Sequence, residues 1–133
     1  MIMGYSIYLV SKDPKSFVID SDDTYDWDAI YDSIVSVESH QEGSTFAIGG
    51  LNEARISVTY NYAEIYSLVD FSMRSLDGKR ASDTIDFIDD CVKKLGTKTY
   101  RDYWAPTPGN AGKALNILLK WAKENPDAYW MIS

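Results

Sequence analysis

Aromatic and branched side chains crowd the stretch Tyr5-Ser6-Ile7-Tyr8-Leu9-Val10 and predict a strand over Tyr5–Val10. Ser11-Lys12-Asp13-Pro14-Lys15 has turn chemistry, and Phe17–Ile19 is expected to return beside the first strand. A third strand is expected over Phe46–Ile48, between glycines. A fourth follows at Ile56–Thr59, where Ile56 and Val58 alternate with Arg55, Ser57 and Thr59. Between them, Trp27, Ile30, Tyr31 and Ile34 recur at helical spacing, while Val35 and Val37 alternate with Ser36 and Glu38. Residues 27–38 therefore fit a short helix or a strand.

The second half of the chain is helical in pattern. Tyr60-Asn61-Tyr62 closes the fourth strand, and Asn61 with Glu64 three residues later fits a reciprocal N-cap. Tyr62, Ile65, Tyr66 and Val69 form the apolar stripe of the helix that follows. Leu76-Asp77-Gly78-Lys79 is a turn. The next stripe runs Ala81, Ile85, Ile88, Val92 and Leu95, with Lys93 and Lys94 suiting the negative end of the helix dipole and Gly96 suiting its C′ position. Thr107 is an N-cap and Pro108 fits the first position of a last helix running to Glu124. Asn125-Pro126-Asp127 ends that helix, and residues 128–132 (AYWMI) predict a closing strand. Strands first, then helices with one late strand, make a single α+β domain over residues 1–133, with an antiparallel sheet covered by about three helices.

Composition narrows the function classes. A hydrophobic share of 45% suffices for a core, and no apolar run approaches the ~20 residues of a membrane span. The first residues lack the pattern of a signal peptide, and a lone cysteine suits a reducing cytoplasm. Cys91 sits among helical core positions and reads as a small buried apolar residue.

The net charge of −7 is unevenly spread. From Ser16 to Ala54 there is no Lys or Arg, but the acids Asp20, Asp22, Asp23, Asp26, Asp28, Asp32, Glu38, Glu42 and Glu53. Direct nucleic-acid binding needs basic side chains that release counterions, so this half argues against it. An acidic face contributed by Asp22, Asp23, Asp26 and Asp28 suits contact with a basic protein groove, as an imitation of a phosphate backbone. The plainer alternative is a solvated loop that aids solubility.

Catalytic chemistry has little to stand on. His40 is the only histidine, which excludes His-rich zinc sites and leaves one weak acid–base candidate beside Glu38 or Glu42. There is no Gly-x-Ser-x-Gly elbow, no phosphate-binding loop spacing at Gly49-Gly50, and no calcium-loop pattern around Asp20; no cofactor is expected. Aromatic residues at element junctions offer more. Tyr60, Asn61 and Tyr62 at one strand end, and Tyr103, Trp104, Thr107, Gly109 and Asn110 at one helix start, suit stacking and edge recognition of a planar ligand. The competing expectation is a corner where the rings plug the core and Asn61 and Asn110 satisfy backbone groups.

The motifs Gly4-Tyr5-x-Ile7-Tyr8-Leu9, His40-x-x-Gly43-x-Thr45-Phe46-Ala47-x-Gly49-Gly50, Thr59-Tyr60-Asn61-Tyr62, Asp102-Tyr103-Trp104-x-x-Thr107-x-Gly109-Asn110-Ala111 and Pro126-Asp127-Ala128-x-Trp130 resemble a family of small, uncharacterised bacteriophage and prophage proteins. The Asp-rich stretch from Asp20 to Ser36 departs from that pattern as an insertion. The resemblance carries no activity. It implies a cytoplasmic protein of an infected or lysogenic host that captures a host protein or a small, nucleotide-like ligand and interferes with a host defence system. The alternatives are a small enzyme on a nucleotide-like substrate with His40 as acid or base, and an acidic nucleic-acid mimic.

Overall fold

The computed structural model describes residues 4–19, 24–37, 46–47, 53–98 and 105–133. Their elements are β1 (Gly4–Val10), α1 (Trp27–Asp32), β2 (Phe46–Ala47), β3 (Arg55–Thr59), α2 (Ala63–Ser67), α3 (Ile85–Leu95), α4 (Pro108–Glu124) and β4 (Tyr129–Ile132). The four strands form one antiparallel sheet in the order β2-β3-β1-β4, so the fold is α+β. No helix among the described residues is long and apolar enough to cross a membrane.

Alternation along β1 divides the molecule into two unequal layers. Ile7 lies opposite Ile56 on one side and Ile132 on the other, and Leu9 lies opposite Trp130. These residues, with Val58, pack against Ile88 and Cys91 of α3 and Ala111, Ala114, Leu115, Leu118 and Ala122 of α4. The opposite face carries Tyr8, Val10 and Met131, which join Phe17 and Ile30 in a much smaller apolar cluster.

Helix α4 has the bounds its sequence predicts. The Thr107 side chain accepts from the Asn110 N–H at 3.2 Å, Pro108 opens the first turn, and only Pro108, Lys120, Lys123 and Glu124 are exposed. Lys113, Asn116, Lys120 and Lys123 fall along one partly exposed face, so α4 is an amphipathic helix packed on the core. At two positions its first turns meet main chain. A Cβ on Gly109 would overlap the Lys98 carbonyl oxygen, and one on Gly112 would overlap that of Gly96. Chain 96–98 can lie this close because both positions are glycine. Gly96 itself, at φ 78°, ends α3 in a conformation that favours glycine.

The outer edge of β4 is closed by the turn before α3. Gly78 N–H donates to the Trp130 carbonyl and Trp130 N–H to that of Lys79, both at 2.9 Å, while Ile132 N–H donates to Asp77 Oδ1 at 2.9 Å. Trp130 Nε1 donates to Thr84 Oγ1 at 2.9 Å inside the core. An exposed strand edge is a template for aggregation, and this one is satisfied within the chain.

Two local expectations are corrected and one open choice is resolved. Phe17–Ile19 is not a sheet strand: Pro14–Phe17 forms a 3-10 turn in which Asp13 accepts from Lys15 N–H at 3.0 Å, and Val18 makes a single bridge to Tyr25. Proline fixes φ for a helical turn, and Asp13 supplies the cap. Tyr60–Tyr62 is likewise a 3-10 turn, because Thr59 Oγ1 accepts from Asn61 N–H at 3.2 Å and starts the turn one residue before β3 would continue. Asn61 is thus inside the turn, and α2 begins after Tyr62 without a side-chain cap. Within residues 27–38, the helix forms as α1 up to Asp32; after it Ile34 and Ser36 make only isolated bridges to Val10 and Glu53, and Glu38 lies outside the described residues. In the third expected strand, Phe46–Ala47 pairs with β3, and Ile48 lies outside the described residues.

Ile88→Ala and Leu118→Ala are each expected to lower unfolding free energy by ~2–5 kcal/mol, since both side chains are fully buried where sheet and helices meet. Urea titration of each variant measures this, and a loss under ~1 kcal/mol at both would remove them from the core. Gly112→Ala tests the close approach by sign. At an open helical position the change gains roughly 1 kcal/mol; here the added methyl meets the Gly96 carbonyl, so the same titration should show a loss.

Candidate functional site

The residues expected to form an aromatic corner separate into interior and surface. Tyr62 and Asn110 are both 0% exposed. Tyr62 packs edge-on to Tyr66 with ring centroids 6.2 Å apart, and Asn110 Nδ2 donates to the Ala105 carbonyl at 3.0 Å. Gly109 is held against Lys98, and Thr107 is the cap of α4. Tyr60 is half-buried, edge-on to Tyr5 at 4.6 Å, and Asn61 is exposed. His40, Tyr103, Trp104, Asp22 and Asp23 lie outside the described residues.

A buried hydrogen bond links α2 to α4. Tyr66, on α2, donates its hydroxyl to the Ala111 carbonyl on α4 at 3.1 Å. Burial raises the Tyr66 hydroxyl pKa well above its ordinary value of 10.0, with Tyr62, Tyr5 and Cys91 adding to the rise. Cys91, also sealed, has its thiol pushed up by burial and by Asp90, the reverse of an activated nucleophile.

A second group of aromatics lies on the thinner face of the sheet. Helix α1 carries Trp27 and Tyr31 four residues apart, so both rings leave the same side. Asp26 caps the helix by accepting from Ala29 N–H at 3.2 Å, and Ile30 anchors it in the smaller core. Trp27 is 37% exposed and Tyr31 45%. Their ring centroids are 5.9 Å apart, with Tyr8 6.0 Å and Tyr25 6.3 Å from Trp27. The Arg55 guanidinium lies 5.2 Å from the Tyr31 ring centroid and 6.0 Å from that of Tyr8. Burial and Tyr31 raise the Tyr8 hydroxyl, and the Arg55 charge partly offsets them. Asp28 and Asp32 are exposed on the same helix. Of the acids expected to meet a partner, Asp26 is therefore committed to the cap and Asp28 is open to solvent.

Helical spacing marks Trp27 and Tyr31 in the sequence but reads equally as a buried stripe. The layer beneath α1 is shallow: Ile30 is the helix residue buried in it, with Ala29 packed at its side, and Trp27 and Tyr31 stay partly exposed. A cleft of about 300 Å³ at the end of α4, lined by Ser11, Val35 and residues 124–128, also had no signature in the sequence. Among the described residues no group of three or more His, Cys, Asp or Glu is placed to hold a metal ion.

The Tyr66 contact makes a pH prediction. A tyrosine whose folded pKa is raised favours the neutral form, so its contribution is complete below the unfolded value of about 10 and is lost as pH rises through the folded value. Urea midpoints should fall between about pH 9 and about pH 11, and fall less in Tyr66→Phe. At neutral pH that variant should lose about 0.5–1.5 kcal/mol for the missing hydrogen bond. An alkaline decline of equal size in both proteins would show that Tyr66 does not carry it.

No protein-family model, curated protein or solved structure matches this chain.

Proposed function

We propose that this chain is a non-enzymatic binding protein that captures another protein through the exposed face of α1, and that, as a phage-type product in the cytoplasm of an infected bacterium, it interferes with a host defence system. The observation that carries the binding function is the pair Trp27 and Tyr31, held outward on a capped and anchored helix with three further groups, Tyr8, Tyr25 and Arg55, packed around them. Tryptophan, tyrosine and arginine are the side chains that most often dominate binding energy at protein interfaces. Rings fixed by neighbours lose little rotamer freedom on association, which lowers the entropic cost.

Capture of a protein is better supported than capture of a small planar ligand at the expected corner. Tyr62 and Asn110 offer no exposed surface there, and Asn110 already serves a backbone carbonyl. The placing of the partner in a bacterial host rests on the resemblance to phage and prophage proteins. The enzymatic alternative depends on His40, which lies outside the described residues.

Affinity capture from a bacterial host lysate, with the wild type and a Trp27→Ala, Tyr31→Ala double variant, tests this. Loss of two interface aromatics of this kind typically costs ~2 kcal/mol or more, so a defined partner retained by the wild type should bind the variant at least about tenfold more weakly. Circular dichroism should show that the variant is folded. A folded variant that holds the partner as tightly as the wild type would take the function away from this face.

A further inference from the structure

The capture surface has a definite charge pattern. Along α1 the exposed rings Trp27 and Tyr31 run beside the exposed carboxylates of Asp28 and Asp32, each pair four residues apart. No Lys or Arg occurs between Ser16 and Ala54, so no base in this stretch neutralises them. Neither Asp28 nor Asp32 makes an ion pair among the described residues, in contrast to Asp89 and Asp90 on α3, which pair with Lys93 and Lys94 at 2.9 and 3.0 Å. An aromatic ring with a carboxylate one position along is suited to a cation that lays its alkyl stem or guanidinium plane on the ring and its charge beside the acid. The same ring cluster already takes one guanidinium from within the chain, that of Arg55 on Tyr31 and Tyr8.

We infer that the α1 ridge of Trp27, Asp28, Tyr31 and Asp32 docks a basic, arginine-bearing segment of a partner protein. This rests on the binding-protein function proposed above and names the chemistry of the partner. Ring stacking supplies contact area, and the carboxylates select positive charge and speed encounter. Because Asp28 and Asp32 are solvent-exposed, their share of the attraction is screened by salt. Asp26 is not part of the docking set, since its carboxylate holds the start of the helix.

Calorimetric titration of the full chain with a synthetic peptide alternating arginine and glycine tests the inference, with a peptide carrying glutamate for arginine as comparison. The arginine peptide should bind at low salt, weaken as salt rises, and bind an Asp28→Asn, Asp32→Asn variant at least about fivefold more weakly. An Asp89→Asn, Asp90→Asn variant, altered on a different helix, should bind it as the wild type does. Trp27→Ala, retaining both carboxylates, should also weaken binding, and unchanged binding by it would remove the ring from the ridge. Absence of binding, equal binding of the glutamate peptide, or equal weakening by the α3 variant would overturn the inference. So would sedimentation showing a wild-type dimer that the Asp28→Asn, Asp32→Asn change dissociates, which would give the ridge to a second copy of the chain. If the peptide fails while lysate capture still depends on Trp27 and Tyr31, the face binds a partner by another chemistry; if both fail, the function falls as well.

Discussion

The burial of the broad apolar face of α4 is the constraint around which this protein is built. A seventeen-residue helix exposing only Pro108, Lys120, Lys123 and Glu124 needs cover from several directions at once. The sheet supplies one wall through Ile7, Leu9, Ile56 and Trp130, and α3 supplies another through Ile88 and Cys91. At its N-terminal end the cover is main chain: the carbonyls of Gly96 and Lys98 sit over Gly112 and Gly109, and Tyr66 reaches from α2 to the Ala111 carbonyl. Side chains would hold these segments apart. The two glycines therefore set how closely the return from α3 approaches α4, and with it the position of α2.

The rest of the molecule follows from that demand. Trp130 is fixed from two sides, by its place in β4 and by its indole N–H on Thr84, and the turn before α3 is drawn along the edge of β4 by the same set of bonds. Where α4 is absent, on the opposite face of the sheet, there is less to bury. A cluster of Tyr8, Val10, Phe17, Ile30 and Met131 is enough to seat a six-residue helix but not to cover its aromatic side chains. Trp27 and Tyr31 stay partly exposed there because the layer is thin.

The aromatic residues of this chain accordingly do two different jobs. Tyr62, Tyr66, Trp121 and Trp130 are sealed in the large core, where area and, for Tyr66 and Trp130, one directed hydrogen bond hold the layers in register. Trp27 and Tyr31, four residues apart on a short helix, remain half in water. Their composition is the same; only the depth of the layer beneath them differs.

Much of the architecture was legible in the sequence by itself. Thr107, Pro108 and the run of apolar residues to Trp121 fix α4 locally, because capping and helical periodicity are short-range; the stripe from Ala81 to Leu95 with Gly96 after it marks α3 for the same reason, although its first turn, Ala81–Asp83, is a separate 3-10 turn before the helix at Ile85. The alternation over Arg55–Thr59 marks β3, and Cys91 reads as core from its neighbours. Where local signals compete the sequence misleads: the cap expected of Asn61 is preceded by one from Thr59, the strand expected at Phe17–Ile19 gives way to a turn started by Pro14, and at residues 27–38 the open choice falls to a helix followed by isolated bridges. For the site, the motif residues were visible but their depth was not. Asn110 and Tyr62 have the side chains of a binding corner, yet both are enclosed, while Trp27 and Tyr31 have the spacing of a buried stripe and face outward. Burial is set by which element lies across each face, and that depends on contacts such as Tyr66 to Ala111, forty-five residues apart, to which no local pattern points.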